Sequence, residues 1–247
     1  MAFLDLIHPR WVVHKHVHAV ITTRGGGAST GEFSALNLSY AVGDNQVHVD
    51  KNRRMLNGYL PSNPYWVTQV HGNSVVTAEA STPTTKADAL YTKRQRIVCG
   101  IMTADCLPVL ITNNSGNEVA VAHAGWRGLA EGVLQQTISK FSSRPSDLVV
   151  QFGPAICQKN YEVREDLVNR FVDLDNLYRS YFLPGSQGRF FADLYGIARH
   201  QLVQLGVRSI FGGDQCTFTQ KEAFFSHRRE QPTGRMATLI WLDDSTK

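Results

Sequence analysis

Arg96–Phe141 reads RIVCGIMTADCLPVLITNNSGNEVAVAHAGWRGLAEGVLQQTISKF. Two apolar runs, Arg96–Thr103 and Leu107–Thr112, are interrupted only by Ala104-Asp105-Cys106. A third run, Glu118–Ala122, stops at His123-Ala124-Gly125. Runs of this length, rich in β-branched residues and bounded by polar or glycine-containing breaks, predict strands. The next segment, Leu129 to Phe141, carries Leu129, Val133, Ile138 and Phe141 near helical spacing and predicts a helix. Connections between adjacent strands here are too short for helical crossovers, so the sheet is mixed rather than purely parallel.

Working outward, His16–Thr23 predicts a first strand that runs into Arg24-Gly25-Gly26-Gly27. Asp44 to Leu60 reads as a loop and then a helix holding Asn52, Arg53 and Arg54, and Tyr65–Val70 as a short strand ending at His71-Gly72. Val149–Phe152, Arg208–Phe211 and Thr238–Trp241 read as further strands, and Asp166–Val172 and Leu194–Leu205 as helices. Strands interleaved with helices, with no repeat or linker between them, predict an α/β layered fold in a single domain over residues 1–247.

Hydrophobic residues make up 43% and charged residues 19% of the 247, enough for one sizeable core and too little charge for disorder. A net charge of +4 suits a small anionic substrate and falls short of the basic stripe of a nucleic-acid binder. Cys99, Cys106, Cys157 and Cys216 are scattered, without a CxxC pair, and read as reduced thiols with no disulfide. The N-terminal MAFLDLIHPRW has no basic leader, and no stretch reaches the roughly 18 apolar residues of a membrane span. A cytoplasmic protein without membrane partners is the expectation.

Three candidate ligands stand at predicted strand ends: His71, Cys106 and His123. Two imidazoles and a thiolate make a catalytic zinc set with a position left for water or substrate, and the thiolate disfavours magnesium. Each alone also reads as an ordinary buried polar group or small hydrophobe, and separations of 35 and 17 residues match no local metal motif. His123-Ala124-Gly125-Trp126-Arg127-Gly128 opens a predicted helix, where N–H groups and Arg127 can draw an anion; a surface arginine beside a core tryptophan explains the segment equally well. In Phe224-Phe225-Ser226-His227-Arg228-Arg229, with Arg235 nearby, basic residues beside aromatics can read a phosphate and stack a base, although a solvated charge run beside core phenylalanines is the plainer reading. His14, His16 and His18 share one strand face and read as solvent-facing.

Taken together, the pattern resembles the YfiH-like proteins, also called the laccase-domain or multicopper polyphenol oxidoreductase family, of purine nucleoside phosphorylase type. The segments that carry the likeness include Thr22-Thr23-Arg24-Gly25-Gly26, Leu36-Asn37-Leu38, Val42-Gly43-Asp44, Asn52-Arg53, Gln69-Val70-His71-Gly72, Ala87-Asp88-Ala89-Leu90, Thr103-Ala104-Asp105-Cys106, His123-Ala124-Gly125-Trp126-Arg127-Gly128, Tyr161-Glu162-Val163 and Thr233-Gly234-Arg235-Met236-Ala237. They run in order from about residue 20 to 241. The resemblance implies a single-domain fold similar to cysteine-hydrolase-like architecture, and His71, Cys106 and His123 as zinc ligands, with copper the lesser alternative. It implies phosphorolysis of adenosine, inosine, guanosine and methylthioadenosine, with adenosine deamination as a further activity. Partners would be a purine nucleoside and phosphate, not nucleic acid, and the chain would act as a monomer or small homo-oligomer. Arg53, from the Asn-Arg segment, is the first choice for phosphate, with Arg228 and Arg229 as weaker choices. Asn37 can hydrogen-bond sugar or base, and Asp105 can orient His71 or His123 or merely cap its loop. Two positions depart from the family pattern: Ala41, where His often precedes Val-Gly-Asp, and His227, where Tyr often follows Phe-Phe-Ser. A laccase relay needs roughly ten histidines in copper geometries, and this chain has nine in all. The competing chemistry is a metal-free hydrolase with Cys106 as nucleophile and His123 or His71 as base, acting on an amide such as a cell-wall precursor. A third reading is a purine-binding module with a closed, structural metal.

Overall fold

The computed structural model describes residues 4–244. The first three and last three residues of the expected 1–247 domain, including the start of the N-terminal segment, lie outside the described residues.

Six strands form the central sheet, in the order β12 (Ser209–Phe211), β8 (Leu148–Phe152), β6 (Leu107–Asn113), β7 (Val119–Ala124), β4 (Ala89–Thr92) and β3 (Val75–Thr77). The inner pairs are antiparallel and the two outer pairs parallel, so the expected mixed sheet is present. A second, fully antiparallel sheet has the order β1 (Leu6–Ile7), β2 (Val17–Thr22), β13 (Met236–Leu242) and β5 (Cys99–Thr103). A small third sheet joins β10 (Phe182–Pro184), β11 (Arg189–Ala192) and β9 (Glu162–Arg164).

The period-2 alternation of a strand decides the layering. Val17, Ala19 and Ile21 of β2, Ile240 and Leu242 of β13, and Leu110, Val119 and Val121 of the central sheet share one buried cluster, so the two large sheets lie face to face. The alternate residues Val20, Ala237, Leu239 and Trp241 point outward onto Leu56 of α1 (Gln46–Asn57). On the far side, Val109, Ile111, Ala120, Ala122 and Val150 pack under α2 (Trp126–Ala130), α3 (Val133–Ile138), α4 (Glu165–Val172) and α5 (Leu194–Gln204). The result is a helix–sheet–sheet–helix stack. Strands buried on both faces explain the near-continuous apolar runs of β5, β6 and β7.

Three sequence expectations are corrected here. The helix expected over Leu129–Phe141 is two helices, parted at Gly132, whose φ of 82° no helix interior can hold. Tyr65–Val70 is extended but not a strand. It lies along β5 through the Tyr65 N–H on the Val98 carbonyl and through the Gln69 amide, which gives and takes hydrogen bonds of 2.8 Å with the Met102 main chain. Cys157 and Cys216 are bonded as a disulfide with Cα atoms 5.1 Å apart, leaving Cys99 and Cys106 as the free thiols. The pairing is invisible in spacing because β8 and the segment after β12 meet only in three dimensions, through the Ala155–Cys216 bridge.

Candidate metal centre

Three separate segments bring the candidate ligands together. His71 follows the Gln69 clamp and adopts φ 62°, a left-handed conformation that turns the chain sharply. Cys106 ends the tight connection between β5 and β6, where Asp105 is also left-handed at φ 89°. His123 sits within β7, one residue before its end rather than beyond it. The histidine Nδ1 or Nε2 atoms and the Cys106 Sγ lie within 4.8 Å of one another, and the two imidazole rings meet edge to face with centroids 4.7 Å apart. A Cβ at Gly125 would stand 3.0 Å from the Cys106 sulfur and 3.4 Å from the His71 ring, so glycine keeps the cluster open.

The residue that assembles this cluster is Asp88, fully buried at the edge of β4. Its carboxylate accepts from the N–H groups of Val70, His71 and Gly72 at 3.2, 2.9 and 2.7 Å, and from His123 Nδ1 at 2.8 Å. Its carbonyl also accepts the His123 N–H at 2.7 Å. One side chain therefore fixes the His71 turn and aims the other nitrogen of His123 at the cluster. Burial would raise the Asp88 pKa, but these hydrogen bonds and His123 hold it below the usual carboxylate value. Burial likewise pushes the Cys106 thiol up, and His123 and His71 outweigh it, bringing the thiol down to about 6. His123 is desolvated, yet Cys106 and Asp88 raise its pKa. Two imidazoles and a thiolate in this arrangement fit a zinc ion, and among the described residues they are the one group of three or more such ligands.

The remaining candidates divide. Asp105 does not orient either histidine. Its carboxylate accepts the Thr217 hydroxyl at 2.5 Å and the Arg228 N–H at 2.6 Å, which is the loop-capping role. Asn37 is buried, with its amide donating to Ser39 O and Asp44 and its oxygen accepting from Ser39 and Arg235, so its polar atoms hold the loop rather than face a ligand. Arg229 spends its guanidinium on the carbonyls of Thr217, Phe218 and Phe224 and on Glu230, and braces the chain instead of binding an anion. Arg53 donates from Nε to Leu38 O at 2.8 Å and lies over Tyr40 and Trp66, with its two terminal nitrogens making no hydrogen bond to the described residues. Arg228 lies over Tyr161 and Arg127 over Trp126, and both are within electrostatic reach of Tyr161, as is Cys106. A hollow of about 260 Å³ is lined by Trp126, Tyr161, Arg164, Arg189 and Arg228. His14 and His16 lie edge to face, and His18 stacks on Trp241; none joins the metal cluster. Among the described residues, no helix is long and apolar enough to cross a membrane.

Asp88 carried no sequence signal of its own beyond its place in Ala87-Asp88-Ala89-Leu90. Its role follows from the pairing of Ala89 with Ala122, which sets residue 88 beside residue 123.

A family model described as multi-copper polyphenol oxidoreductase laccase matches residues 18–243. A Haemophilus influenzae protein named purine nucleoside phosphorylase is 45% identical over 244 residues, covering 97% of this chain and 100% of that one. The Escherichia coli K12 protein named purine nucleoside phosphorylase YfiH is 45% identical over 240 residues, covering 96% and 98%. The fold matches a crystal structure from Neisseria meningitidis with a TM-score of 0.93 at 41% identity, covering 97% and 99% of the two chains. It matches YlmD from Geobacillus stearothermophilus with a TM-score of 0.80 at 32% identity, covering 93% of each. The chain belongs to this laccase-like, YfiH-type family.

Proposed function

We propose that the chain is a zinc-dependent purine nucleoside phosphorylase of the cytoplasm, converting a purine nucleoside and phosphate to free base and ribose 1-phosphate. The observation that carries this reading is the cluster of His71, Cys106 and His123, in a chain 45% identical to proteins named for that activity. When bound, zinc would supply a Lewis-acid position for an oxygen of substrate.

In phosphorolysis, phosphate attacks the anomeric carbon as the bond to the base breaks, so positive charge grows on the ribose and negative charge on the base. The residues must fix the phosphate and stabilise both charges. Arg53 offers two terminal nitrogens, Arg228 lines the hollow beside Tyr161, Arg127 lies over Trp126, and Asp88 holds the His71 turn and the His123 ring. The multi-copper description asks for more: one cluster of three ligands is the wrong inventory for a four-copper relay, so oxidation of phenols is not proposed. Adenosine deamination has no support in the relatives' names and is kept only as an outcome to be measured.

A second reading has its own observation. Without metal, Cys106, His123 and Asp88 form a thiol–imidazole–carboxylate series, the arrangement of a cysteine nucleophile. Metal analysis and product analysis separate the two. Purified protein should hold one zinc per chain, lost in Cys106→Ala. Inosine or adenosine should yield ribose 1-phosphate only when phosphate is supplied. Equal base release without phosphate would point to hydrolysis, and ammonia without free base to deamination.

A further inference from the structure

β13 pairs with β5 so that Met236 faces Thr103, which sets Arg235 across from Ala104, the first residue of the turn that ends in Cys106. The Arg235 backbone is held from both sides: its N–H donates to Asn37 Oδ1 at 3.0 Å, and its carbonyl accepts from Leu38 at 3.4 Å. Its guanidinium is half-buried and anchored by one nitrogen, Nη1, which donates to the carbonyls of Thr233 and Gly234 at 2.9 and 3.0 Å. Nε and Nη2 have no hydrogen-bond partner, and no carboxylate pairs with the group, among the described residues.

Asp105 and the Cys106 thiolate are the anions within its electrostatic reach. The Asp105 carboxylate is already committed to Thr217 and Arg228. Cys106 is a member of the metal cluster. His227, on the same rim, lies within reach of Arg235, Arg228 and His71. A half-buried cation that is desolvated without a partner is costly. Its free nitrogens match two oxygens of a tetrahedral anion, the task to which a planar guanidinium is suited.

We infer that Arg235 is an oxyanion-binding residue of this site, and that in the proposed reaction it holds the attacking phosphate beside the metal cluster. Lys at this position would keep the charge and lose the two-point grip. The assignment rests on the phosphorylase reading for the identity of its ligand, and on the geometry alone for the anion site.

The test compares zinc-loaded wild type, Arg235→Gln, Arg235→Lys and Arg53→Ala by phosphate titration calorimetry and by inosine phosphorolysis. In Arg235→Gln the phosphate Kd and the phosphate KM should both rise roughly 10- to 100-fold, the loss expected of a charge-assisted hydrogen bond. Inosine KM, zinc content and Tm should stay at wild-type values, and Arg235→Lys should fall between. If Gln unfolds the chain, the Lys variant carries the same comparison. A phosphate Kd unchanged in both Arg235 variants overturns the assignment, and a loss confined to Arg53→Ala would move the anion site there. Arg235-dependent phosphate binding without ribose 1-phosphate formation would leave the assignment standing and overturn the phosphorylase reading instead.

Discussion

Asp88 joins two of the candidate metal ligands, which arrive from unconnected parts of the chain, so its effect should be separable from that of the histidines themselves. Asp88→Asn leaves an acceptor oxygen but puts an NH₂ group among N–H donors and removes the charge facing His123. Zinc affinity should fall by roughly 10- to 100-fold, the usual cost of disturbing a group that orients a ligand, without abolishing binding. A second readout reports positioning directly. In metal-stripped protein the Cys106 thiol, brought down to about 6, is a thiolate above that pH and loses its reactivity as the pH falls through it. Alkylation of Cys106 by iodoacetamide should follow that profile in wild type. It should shift to higher pH in Asp88→Asn, because His123 loses the partner that favours imidazolium. Cys99, whose thiol burial pushes up, should stay unmodified in native protein. Identical profiles in the two proteins would reduce Asp88 to a structural cap.

At the scale of elements, Gly132 separates two readings by sign. If Leu129–Phe141 were one helix, Gly132→Ala would stabilise it by about 1 kcal/mol. With φ at 82°, the same change should cost about 1–2 kcal/mol and lower Tm by several degrees, and Gly132→Asn should cost less. A rise in Tm for Ala would restore the continuous helix. The comparison shows what sequence periodicity resolves and where it fails. The runs of β5, β6 and β7 were legible because both faces are buried, and α4 because its apolar stripe is clear. The same legibility placed Cys106 just before β6 and His123 at the end of β7, whereas His71 follows the extended Tyr65–Val70 segment rather than a strand. Tyr65–Val70 misled because its alternation is real while its backbone pairing is confined to isolated bridges at Tyr65 and Thr68, with the Gln69 side chain standing in for the rungs of a ladder. The third sheet was missed because β9, β10 and β11 are three or four residues long and lack a strong pattern. Asn37 and Arg229 looked like ligand-binding groups because residue type cannot reveal that a side chain is already saturated by its own backbone neighbours.

For the whole molecule, the Cys157–Cys216 bond closes a loop of 59 residues that contains α4, α5 and the small sheet. Both ends of that loop brace Asp105, the residue before Cys106. Ile156, next to Cys157, donates its N–H to the Asp105 carbonyl at 3.0 Å. Thr217, next to Cys216, gives its hydroxyl to the Asp105 carboxylate and its N–H to Ala155. The bond thus ties together the two segments that brace the residue before Cys106. Thiol titration of denatured, unreduced protein should find two free thiols of the four cysteines, and four after reduction. Removing the link in Cys157→Ser/Cys216→Ser should cost up to about 4 kcal/mol on the chain-entropy account, which treats the loop as unconstrained when unfolded. Less would be lost if the bracing hydrogen bonds keep the loop ends together. The double variant should also bind zinc more weakly than wild type, because Asp105 would lose part of its support while every ligand remains. Four free thiols in the unreduced protein would remove the bond and return the chain to the reduced state expected of a cytoplasmic enzyme. Two free thiols with unchanged zinc affinity in the double variant would keep the bond but confine it to stability, with Thr217 and Ile156 sufficient to hold Asp105 on their own.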